Sequence, residues 1–239
     1  MNTVKINKGS ALMVAHRGVS GLERENTLSA FIAAGNRSYF GIETDVHRTA
    51  DGKYVVIHDD STGRVGQDNI VIENSTYDLI KSVKLYDIDG KTPRTDLRIP
   101  LLSEYIRVCK KYEKRAVLEL KTIFTKEQVA EIVDIIKNED YLEGVIFISF
   151  HIQDLIFLRE LCPDQPAQFL TGEISERTIG WMKDYKLDLD AHFPSIPEEN
   201  LKMLHDLGIK VNVWTVDDPA TAEKLVSWGV DYITTNILE

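Results

Sequence analysis

The sequence predicts an α/β protein whose strands close into a TIM-type (β/α)8 barrel, with a small insertion on the barrel rim. Short runs of β-branched and apolar residues alternate with stretches of helical periodicity along the whole chain, which is typical of βαβ units around a parallel sheet. The alternation recurs often enough to favour a closed barrel over an open doubly wound sheet. The length of 239 residues suits one such barrel, so we predict a single domain at 1–239.

Nine segments are predicted to be strands: 11–16, 40–46, 53–58, 115–121, 144–150, 167–172, 187–193, 210–216 and 231–236. Seven segments are predicted to be helices: 26–38, 101–113, 126–140, 152–162, 175–186, 197–208 and 218–229. Asn26 is expected to cap the first helix and Pro219 to lie in the first turn of the last one, while Gly208 and Gly229 are expected to end helices. The weakly periodic segment 61–98 is predicted to be the rim insertion.

One predicted strand exceeds the eight places of the barrel, and the pair Asp51-Gly52 explains it. Asp-Gly between two β-rich runs is a strong signal for a two-residue hairpin. The strands on either side should therefore run antiparallel, and only one of them needs to belong to the barrel. In this register Asp45 faces His58, and Glu43 shares the face of Asp45 because side chains alternate along a strand.

The hairpin thus predicts a polar cluster of Glu43, Asp45 and His58. Three apolar residues should pack behind it: Ile42, Val46 and Ile57. Two carboxylates on one face repel each other unless a positive charge lies between them, and a hard divalent cation with oxygen ligands is the simple solution. Ordinary ion pairs of surface carboxylates are the alternative. The apolar flanks and the adjacent histidine favour the metal site.

The predicted strand at 115–121 carries a second charged pair, Glu119 and Lys121, on one face. Charged residues at the carboxyl end of a barrel strand usually lie at the active-site mouth. Glu119 could therefore complete a site of three carboxylates, and Lys121 could contact a negatively charged substrate. A salt bridge between the two at the rim is the alternative, and it explains this pair better when the pair is taken alone.

The first predicted strand ends in His16-Arg17-Gly18. The planar fork of an arginine suits phosphate oxygens, and a glycine lets the backbone turn close to a ligand. His16 and His58 together suggest an acid–base pair, because histidine titrates near neutral pH. Trp214 ends another strand and either walls a pocket or is an ordinary core aromatic. His47, which directly follows the predicted strand 40–46, is expected to point outward beyond the rim.

Composition excludes several partners. The chain has 28 basic and 38 acidic residues and a net charge of −10, without a basic block, which argues against nucleic acid or an anionic membrane as a partner. We find no apolar run long enough to span a membrane and no signal peptide, so a cytoplasmic location is expected. Cys109 and Cys162 are too few for a disulfide framework and are expected to be reduced.

The motifs in this order resemble those of the glycerophosphodiester phosphodiesterase family. The matching text is AHRG, ENTLSAF, GIETDVHRTADGKYVVIHDDSTGR, IPLLSEY, LELK, ISF, VNVWTV and GVDYITTN. The resemblance spans about Ala15 to Asn236, and the early block is its most specific part. It implies a TIM barrel that hydrolyses small glycerophosphodiesters to glycerol 3-phosphate and a free alcohol. Some relatives act on lysophospholipids instead.

The resemblance also implies roles for individual residues. His16 and His58 match the general acid and base, and a divalent cation, Mg²⁺ or Ca²⁺, would be held by Glu43, Asp45 and Glu119. Arg17 matches the phosphate contact, and the substrate pocket would include Lys121 and Trp214. Two departures are visible: Arg24 stands where the family has proline before Glu-Asn-Thr, and Asn236 stands where it has aspartate. The second departure leaves a strand-end carboxylate missing.

Three other functions fit parts of the pattern. A barrel could bind glycerophosphodiesters or metal without turnover, although an intact set of histidines and carboxylates argues against it. A metal-independent lyase resembling phospholipase C would release a stable cyclic phosphate and ignore chelators. An isomerase or aldolase on the same fold would need its own base or Schiff-base lysine, for which we find no separate candidate. The sequence decides neither the alcohol group, the metal, the oligomeric state nor which histidine is the acid.

Overall fold

Eight parallel strands close into a barrel, which confirms the predicted fold class. The computed structural model of the protein describes residues 2–239. The nine strands are β1 (Leu12–Ala15), β2 (Gly41–Arg48), β3 (Tyr54–Val56), β4 (Arg115–Leu120), β5 (Val145–Ser149), β6 (Ala167–Thr171), β7 (Asp188–His192), β8 (Val211–Trp214) and β9 (Tyr232–Thr235). The barrel closes because β1 pairs in parallel with both β9 and β2. Among the nine strands, β3 pairs with β2 and runs antiparallel to it, so only β2 of this pair belongs to the barrel, in agreement with the prediction.

All seven predicted helices form, and one short helix was not foreseen. The helices are α1 (Leu28–Gly35), α2 (Tyr77–Ser82), α3 (Leu102–Lys111), α4 (Lys126–Asn138), α5 (Ile152–Leu161), α6 (Glu176–Asp184), α7 (Glu198–Asp206) and α8 (Pro219–Trp228). Pro219 begins α8, and Gly229 ends it in a left-handed conformation, as expected. The prediction of Asn26 as the cap of α1 was wrong, because Thr27 accepts the capping hydrogen bond from the amide of Ala30.

The predicted register of the β2–β3 hairpin was wrong by one residue. Val46 lies opposite Val56, and the amide of Ile57 donates to the carbonyl of Asp45 (3.0 Å), so His58 does not face Asp45. The loop contains three residues rather than two. Gly52 takes a positive φ of 76°, and Lys53 closes the loop with hydrogen bonds to Thr49. This is the geometry of a type I turn followed by a left-handed glycine, which Asp-Gly also suits.

The segment from 61 to 98 packs around a small core of its own, separate from the main one. This second core also includes Ile57, which therefore does not pack behind Glu43 and Asp45 as expected. Arg24 ties the segment to the barrel by donating to the backbone carbonyls of Tyr86 and Asp87.

The inside of the barrel has an apolar side and a polar side. Side chains alternate along each strand, so one set faces the helices and the other faces the barrel axis. The apolar set is Val14, Val117, Ile146, Ile148 and Leu170. Buried polar side chains come from the four consecutive strands β6 to β9: Gln168, Asp190, Asn212 and Thr234. No helix among residues 2–239 is both long enough and apolar enough to cross a membrane.

Candidate active site at the carboxyl ends of the barrel strands

A cavity of about 210 Å³ opens at the carboxyl ends of the strands. Its lining contains every residue predicted for the site except Asp45, together with three further apolar or aromatic side chains and two polar ones. The lining residues are His16, Arg17, Glu43, His58, Glu119, Lys121, Ile148, Phe150, Leu170, Asp190, Trp214 and Thr234. The carboxyl ends of parallel strands meet at one end of a barrel, which is why residues far apart in sequence assemble here.

Three carboxylates form a buried cluster at this end of the barrel. Glu43 and Asp45 lie on β2, and Glu119 lies beside Asp45 in the parallel register of β2 and β4. One oxygen from each of the three lies within 4.8 Å of the others. Their residues are only 3%, 1% and 7% exposed, respectively. They are not exposed carboxylates with independent surface partners.

The cluster concentrates more negative charge than the protein alone neutralises. Burial and then the charge of Asp45 raise the pKa of Glu43 well above its usual range, and the same two causes raise the pKa of Glu119 to about 8. Burial would raise the pKa of Asp45 as well, but Arg17 and Lys121 lower it below its usual range. Asp45 Oδ1 accepts no hydrogen bond from any residue in the described part of the chain. An all-oxygen donor set in which a buried oxygen accepts no hydrogen bond and has only the ammonium group of Lys121 beside it fits a hard divalent cation.

Two cationic side chains lie against the carboxylates. Lys121 Nζ is 2.9 Å from Glu119 Oε1 and 3.3 Å from Asp45 Oδ1. The salt bridge between Lys121 and Glu119 therefore forms, but it lies inside the cavity wall and includes Asp45. Arg17 Nε is 3.6 Å from Asp45 Oδ2, and its backbone amide donates to Glu43 Oε2 (2.8 Å). The side chains of Arg17 and Lys121 therefore border the carboxylate cluster, where an anionic substrate would bind.

The turn after β1 places Arg17 by an unusual backbone path. Arg17 and Gly18 both have positive φ values, 54° and 78°. A Cβ atom at Gly18 would lie 2.7 Å from backbone and side-chain atoms of Ala30, so only glycine lets α1 pack this closely. Asn26, also left-handed with φ of 53°, donates from Nδ2 to Asp45 Oδ2 (2.8 Å). The turn and the start of α1 therefore hold the carboxylate cluster from one side.

His16 is held in one tautomer by Asn236. The two side chains are joined by a bond of 2.7 Å between His16 Nδ1 and Asn236 Oδ1, and Ser20 Oγ donates to the same oxygen (2.6 Å). The orientation of the Asn236 side-chain amide follows from its nitrogen, because Nδ2 donates to a carboxylate oxygen of Asp217 (2.6 Å). Nδ1 of His16 must then carry the proton, which leaves Nε2 with a free lone pair. Burial, and then the charge of Arg17, lower the pKa of His16 to about 4.

His58 has a carboxylate partner instead of an amide. It lies on a bend after β3, and its Nδ1 is 2.7 Å from Asp59 Oδ1. Arg64, from the insertion, donates to Asp59 Oδ2 (2.6 Å) and also to Glu25 (2.7 Å). Burial would raise the pKa of Asp59, but the hydrogen bonds from Arg64 and His58 lower it to about 2. Asp59 is therefore an anion that faces the His58 ring.

Aromatic rings wall the cavity on the side of β5 and β8. Trp214 is half-buried and lines the cavity. Its position is therefore that of a pocket wall, the first of the two alternatives considered for it. Its ring packs edge-on against Phe150, with ring centres 5.8 Å apart, and its ring centre lies 5.3 Å from that of His192.

The expectation that His47 points outward was wrong. Its side chain is buried, with Nε2 3.3 Å from the carbonyl oxygen of His58.

Several residues that contribute to the site were not foreseen. Asn26 and Asp59 stand next to predicted motif residues, so their places in the motifs were the only signal. Asp190 interrupts an apolar strand, which is a weak signal of a buried polar role. Arg64 gave no signal, because it lies in the irregular segment. Asn236 was recognised only as a missing carboxylate, whereas its amide bonds to His16 and thereby reaches Asp217.

Comparison with known sequences gives a consistent result. A sequence profile of the Glycerophosphoryl diester phosphodiesterase family matches residues 16–239. A glycerophosphodiester phosphodiesterase of Caldanaerobacter subterraneus subsp. tengcongensis is 31% identical over 232 residues, which cover 94% of this chain and 93% of that protein. A glycerophosphodiester phosphodiesterase of Bacillus subtilis is 26% identical, with 94% and 83% covered.

Solved structures agree with the sequences. A crystal structure of a glycerophosphodiester phosphodiesterase from Parabacteroides distasonis has a TM-score of 0.78 at 29% identity, covering 99% of this chain and 94% of that one. A phosphodiesterase from Oleispira antarctica, in complex with the product sn-glycerol-3-phosphate, has a TM-score of 0.86 at 24% identity, covering 97% and 95%. At that identity the likeness concerns the fold alone. With a family match from His16 to the last residue, the chain belongs to the glycerophosphoryl diester phosphodiesterase family and is a phosphoric diester hydrolase.

Proposed function

We propose that the protein hydrolyses glycerophosphodiesters to sn-glycerol 3-phosphate and an alcohol, using one divalent cation and a pair of histidines. The observation that carries the proposal is the assembly of two imidazoles, two cationic side chains and a cluster of three carboxylates around one cavity of about 210 Å³. This combination supplies each group that phosphodiester cleavage needs: charge stabilisation, a base and an acid.

The cation would be held by Glu43, Asp45 and Glu119. Bound there, Mg²⁺ or Ca²⁺ would supply Lewis-acid polarisation of a phosphoryl oxygen. The neighbouring Arg17 and Lys121 orient the phosphate and offset the negative charge that develops on it in the transition state. Both already border the carboxylates, so binding the diester requires no long movement of either side chain.

The two histidines would divide the proton transfers according to their partners. His16 is uncharged at neutral pH with Nε2 free, so it takes the proton from the attacking hydroxyl, either of water or of the glycerol 2-position. His58 is oriented by the Asp59 carboxylate at its Nδ1, and we assign to it the transfer of a proton to the oxygen of the departing alcohol. With water as the nucleophile, the P–O bond to the alcohol breaks as the new P–O bond forms, and sn-glycerol 3-phosphate is released directly. With the glycerol 2-hydroxyl as the nucleophile, the same displacement leaves a cyclic phosphate. Water then opens the ring with the two histidines in exchanged roles, which returns both to their starting protonation states.

The rim insertion would belong to the same catalytic domain. We infer one domain over 1–239, with the insertion at 61–98. Arg64 of the insertion bonds to Asp59, the partner of His58, and to Glu25, the partner of Arg17. Removal of this segment would therefore disturb His58 as well as the rim.

A product assay tests the proposed function directly. Purified protein is given a panel of glycerophosphodiesters that differ in the alcohol, with Mg²⁺, Ca²⁺ or chelator, and sn-glycerol 3-phosphate is measured enzymatically. We expect release with at least one cation and none in chelator. A stable cyclic phosphate formed in chelator would identify the lyase instead. Equilibrium binding of the diester without any product would identify a binding protein.

Asn236 gives a further prediction, because it fixes the tautomer of His16. Asn236→Ala removes the acceptor of the Nδ1 proton, and we expect turnover to fall by about tenfold, the effect of one well-placed hydrogen bond. Asn236→Asp keeps an acceptor at the same position and should retain more activity than the alanine variant. Turnover and its pH profile check this. An alanine variant with an unchanged profile would contradict the positioning role.

A further inference from the structure

Asp190 is a buried carboxyl group with one oxygen, Oδ1, that has no hydrogen-bond partner among residues 2–239. It lies in the middle of β7 and is 2% exposed. Within residues 2–239 its Oδ1 accepts no hydrogen bond and its side chain forms no ion pair. A buried polar atom without a partner destabilises a folded protein. An unpartnered oxygen on the wall of a cavity therefore points to a ligand as its partner.

The one polar neighbour of Asp190 on an adjacent strand, Asn212, lies close enough to lower its pKa by a side-chain hydrogen bond, but within the described chain Oδ1 stays without a partner. Asn212, its partner in the register of β7 and β8, contacts Gln168 through its amide nitrogen (3.4 Å) and accepts from Thr234 through its oxygen (3.1 Å). On the other side of β7, the partner of Asp190 on β6 is Leu170, which has no polar atom in its side chain. Burial, and then the charge of Glu119, raise the pKa of Asp190 well above its usual range. The uncharged group can both donate and accept a hydrogen bond.

The position of Asp190 is at the inner end of the cavity. The pair His192 and Trp214 lies two residues further along β7 and β8, at the mouth, which places Asp190 roughly 7 Å deeper. Thr234, Ile148 and Leu170 line the cavity with it, and the buried Gln168 and Asn212 belong to the polar side of the barrel interior. A ligand group that reaches Asp190 is therefore enclosed by the barrel.

We propose that Asp190 binds the terminal hydroxyl of the substrate's glycerol moiety and thereby restricts the enzyme to fully deacylated glycerophosphodiesters. The inference rests on the proposed function, which places the phosphate between Arg17, Lys121 and the carboxylate cluster. The terminal hydroxyl is the glycerol group furthest from the phosphate, and it offers a donor to the free oxygen of Asp190. An acyl chain on that hydroxyl would remove the donor and would have to lie among the buried side chains around Asp190, such as Asn212.

The test uses two diesters that differ by one hydroxyl group. One is sn-glycero-3-phosphoethanolamine, and the other is its 1-deoxy analogue, a propane-1,2-diol diester that keeps the 2-hydroxyl. We expect the wild-type protein to prefer the first by roughly 10- to 100-fold in kcat/KM, because the analogue leaves a buried polar group unpaired. Asp190→Leu should lower kcat/KM for the first diester only, and so reduce the preference to less than threefold. A 1-acyl lysophospholipid should not be hydrolysed by the wild-type protein.

Two controls separate this role from a structural one. Asp188→Asn changes the other aspartate on the same strand, which bonds to the amide of Lys210 away from the cavity, and should leave the preference unchanged. Asp190→Leu should unfold at the same temperature as the wild type or a higher one, because it removes an unpaired buried carboxyl group. A structural aspartate would lower the unfolding temperature when replaced.

The outcomes are distinguishable from a failure of the proposed function. If the wild-type protein hydrolyses both diesters equally, or if Asp190→Leu keeps the preference, the inference is wrong although the activity stands. If neither diester is hydrolysed, calorimetric binding of sn-glycerol 3-phosphate and its 1-deoxy analogue measures the same preference without turnover. Equal affinities in that measurement would also overturn the inference.

Discussion

His16→Ala and His58→Ala are each expected to lower turnover by at least about 10²-fold, the lower end of what a general acid or base contributes. The reason is geometric: both rings line one cavity, and each has a Nδ1 partner that orients it, Asn236 for one and Asp59 for the other. Turnover of a glycerophosphodiester at saturating substrate and cation measures the loss. The double variant should lose less than the product of the two single losses, because the proton transfers act in one reaction.

His205→Ala serves as the matched control. His205 lies on α7, bonds to Asp231, and is not among the residues that line the cavity, so turnover should stay near the wild-type value. Circular dichroism and thermal unfolding of all three variants establish that the barrel is intact. Either cavity variant with near-normal turnover would remove that histidine from the acid–base pair.

Removal of the divalent cation is expected to abolish turnover and to lower the unfolding temperature of the wild-type protein. The three carboxylates have oxygens within 4.8 Å of one another, so a bound cation relieves their repulsion in the folded state only. A cation at a hundred times its dissociation constant stabilises the fold by about 2.7 kcal/mol. Thermal unfolding with Mg²⁺, Ca²⁺ or chelator measures this without reference to activity.

Glu43→Gln tests the same site from the protein side. The variant loses one charged ligand, so we expect low turnover that excess cation partly restores, and a smaller shift in unfolding temperature on adding the cation. Glu131→Gln is the control, because Glu131 is a carboxylate on α4 that bonds to Tyr54 and is not in the cluster. Full activity of the wild type in chelator, or an identical thermal response of Glu43→Gln, would exclude the cation from this site.

The order of strands and helices could be predicted because it depends on local patterns. Apolar alternation in 115–121 and helical periodicity in 126–140 are each visible within one segment, and both elements form where expected. The hairpin register could not be predicted in the same way. Asp-Gly suits both two-residue and three-residue loops, and the choice depends on whether Lys53 bonds to Thr49, a difference of one residue that moves His58 away from Asp45.

The predicted site residues could be named because polar side chains at strand ends meet at one end of a parallel barrel. Their partners could not be named. His16 and Asn236 are 220 residues apart, and Arg64 reaches Glu25 from a segment without periodicity. Such contacts depend on barrel closure and on the path of the insertion, and neither is encoded in a local pattern.

Local patterns along the chain are enough to predict the alternation of strands and helices and the set of chemical groups at the strand ends. Tertiary contacts set which of those groups have partners: His16 bonds to an amide, His58 bonds to a carboxylate, and one oxygen of Asp190, beside the cavity, has no hydrogen bond within residues 2–239. Hydrogen bonding and burial depend on the space around an atom, and strands from the whole length of the chain form that space.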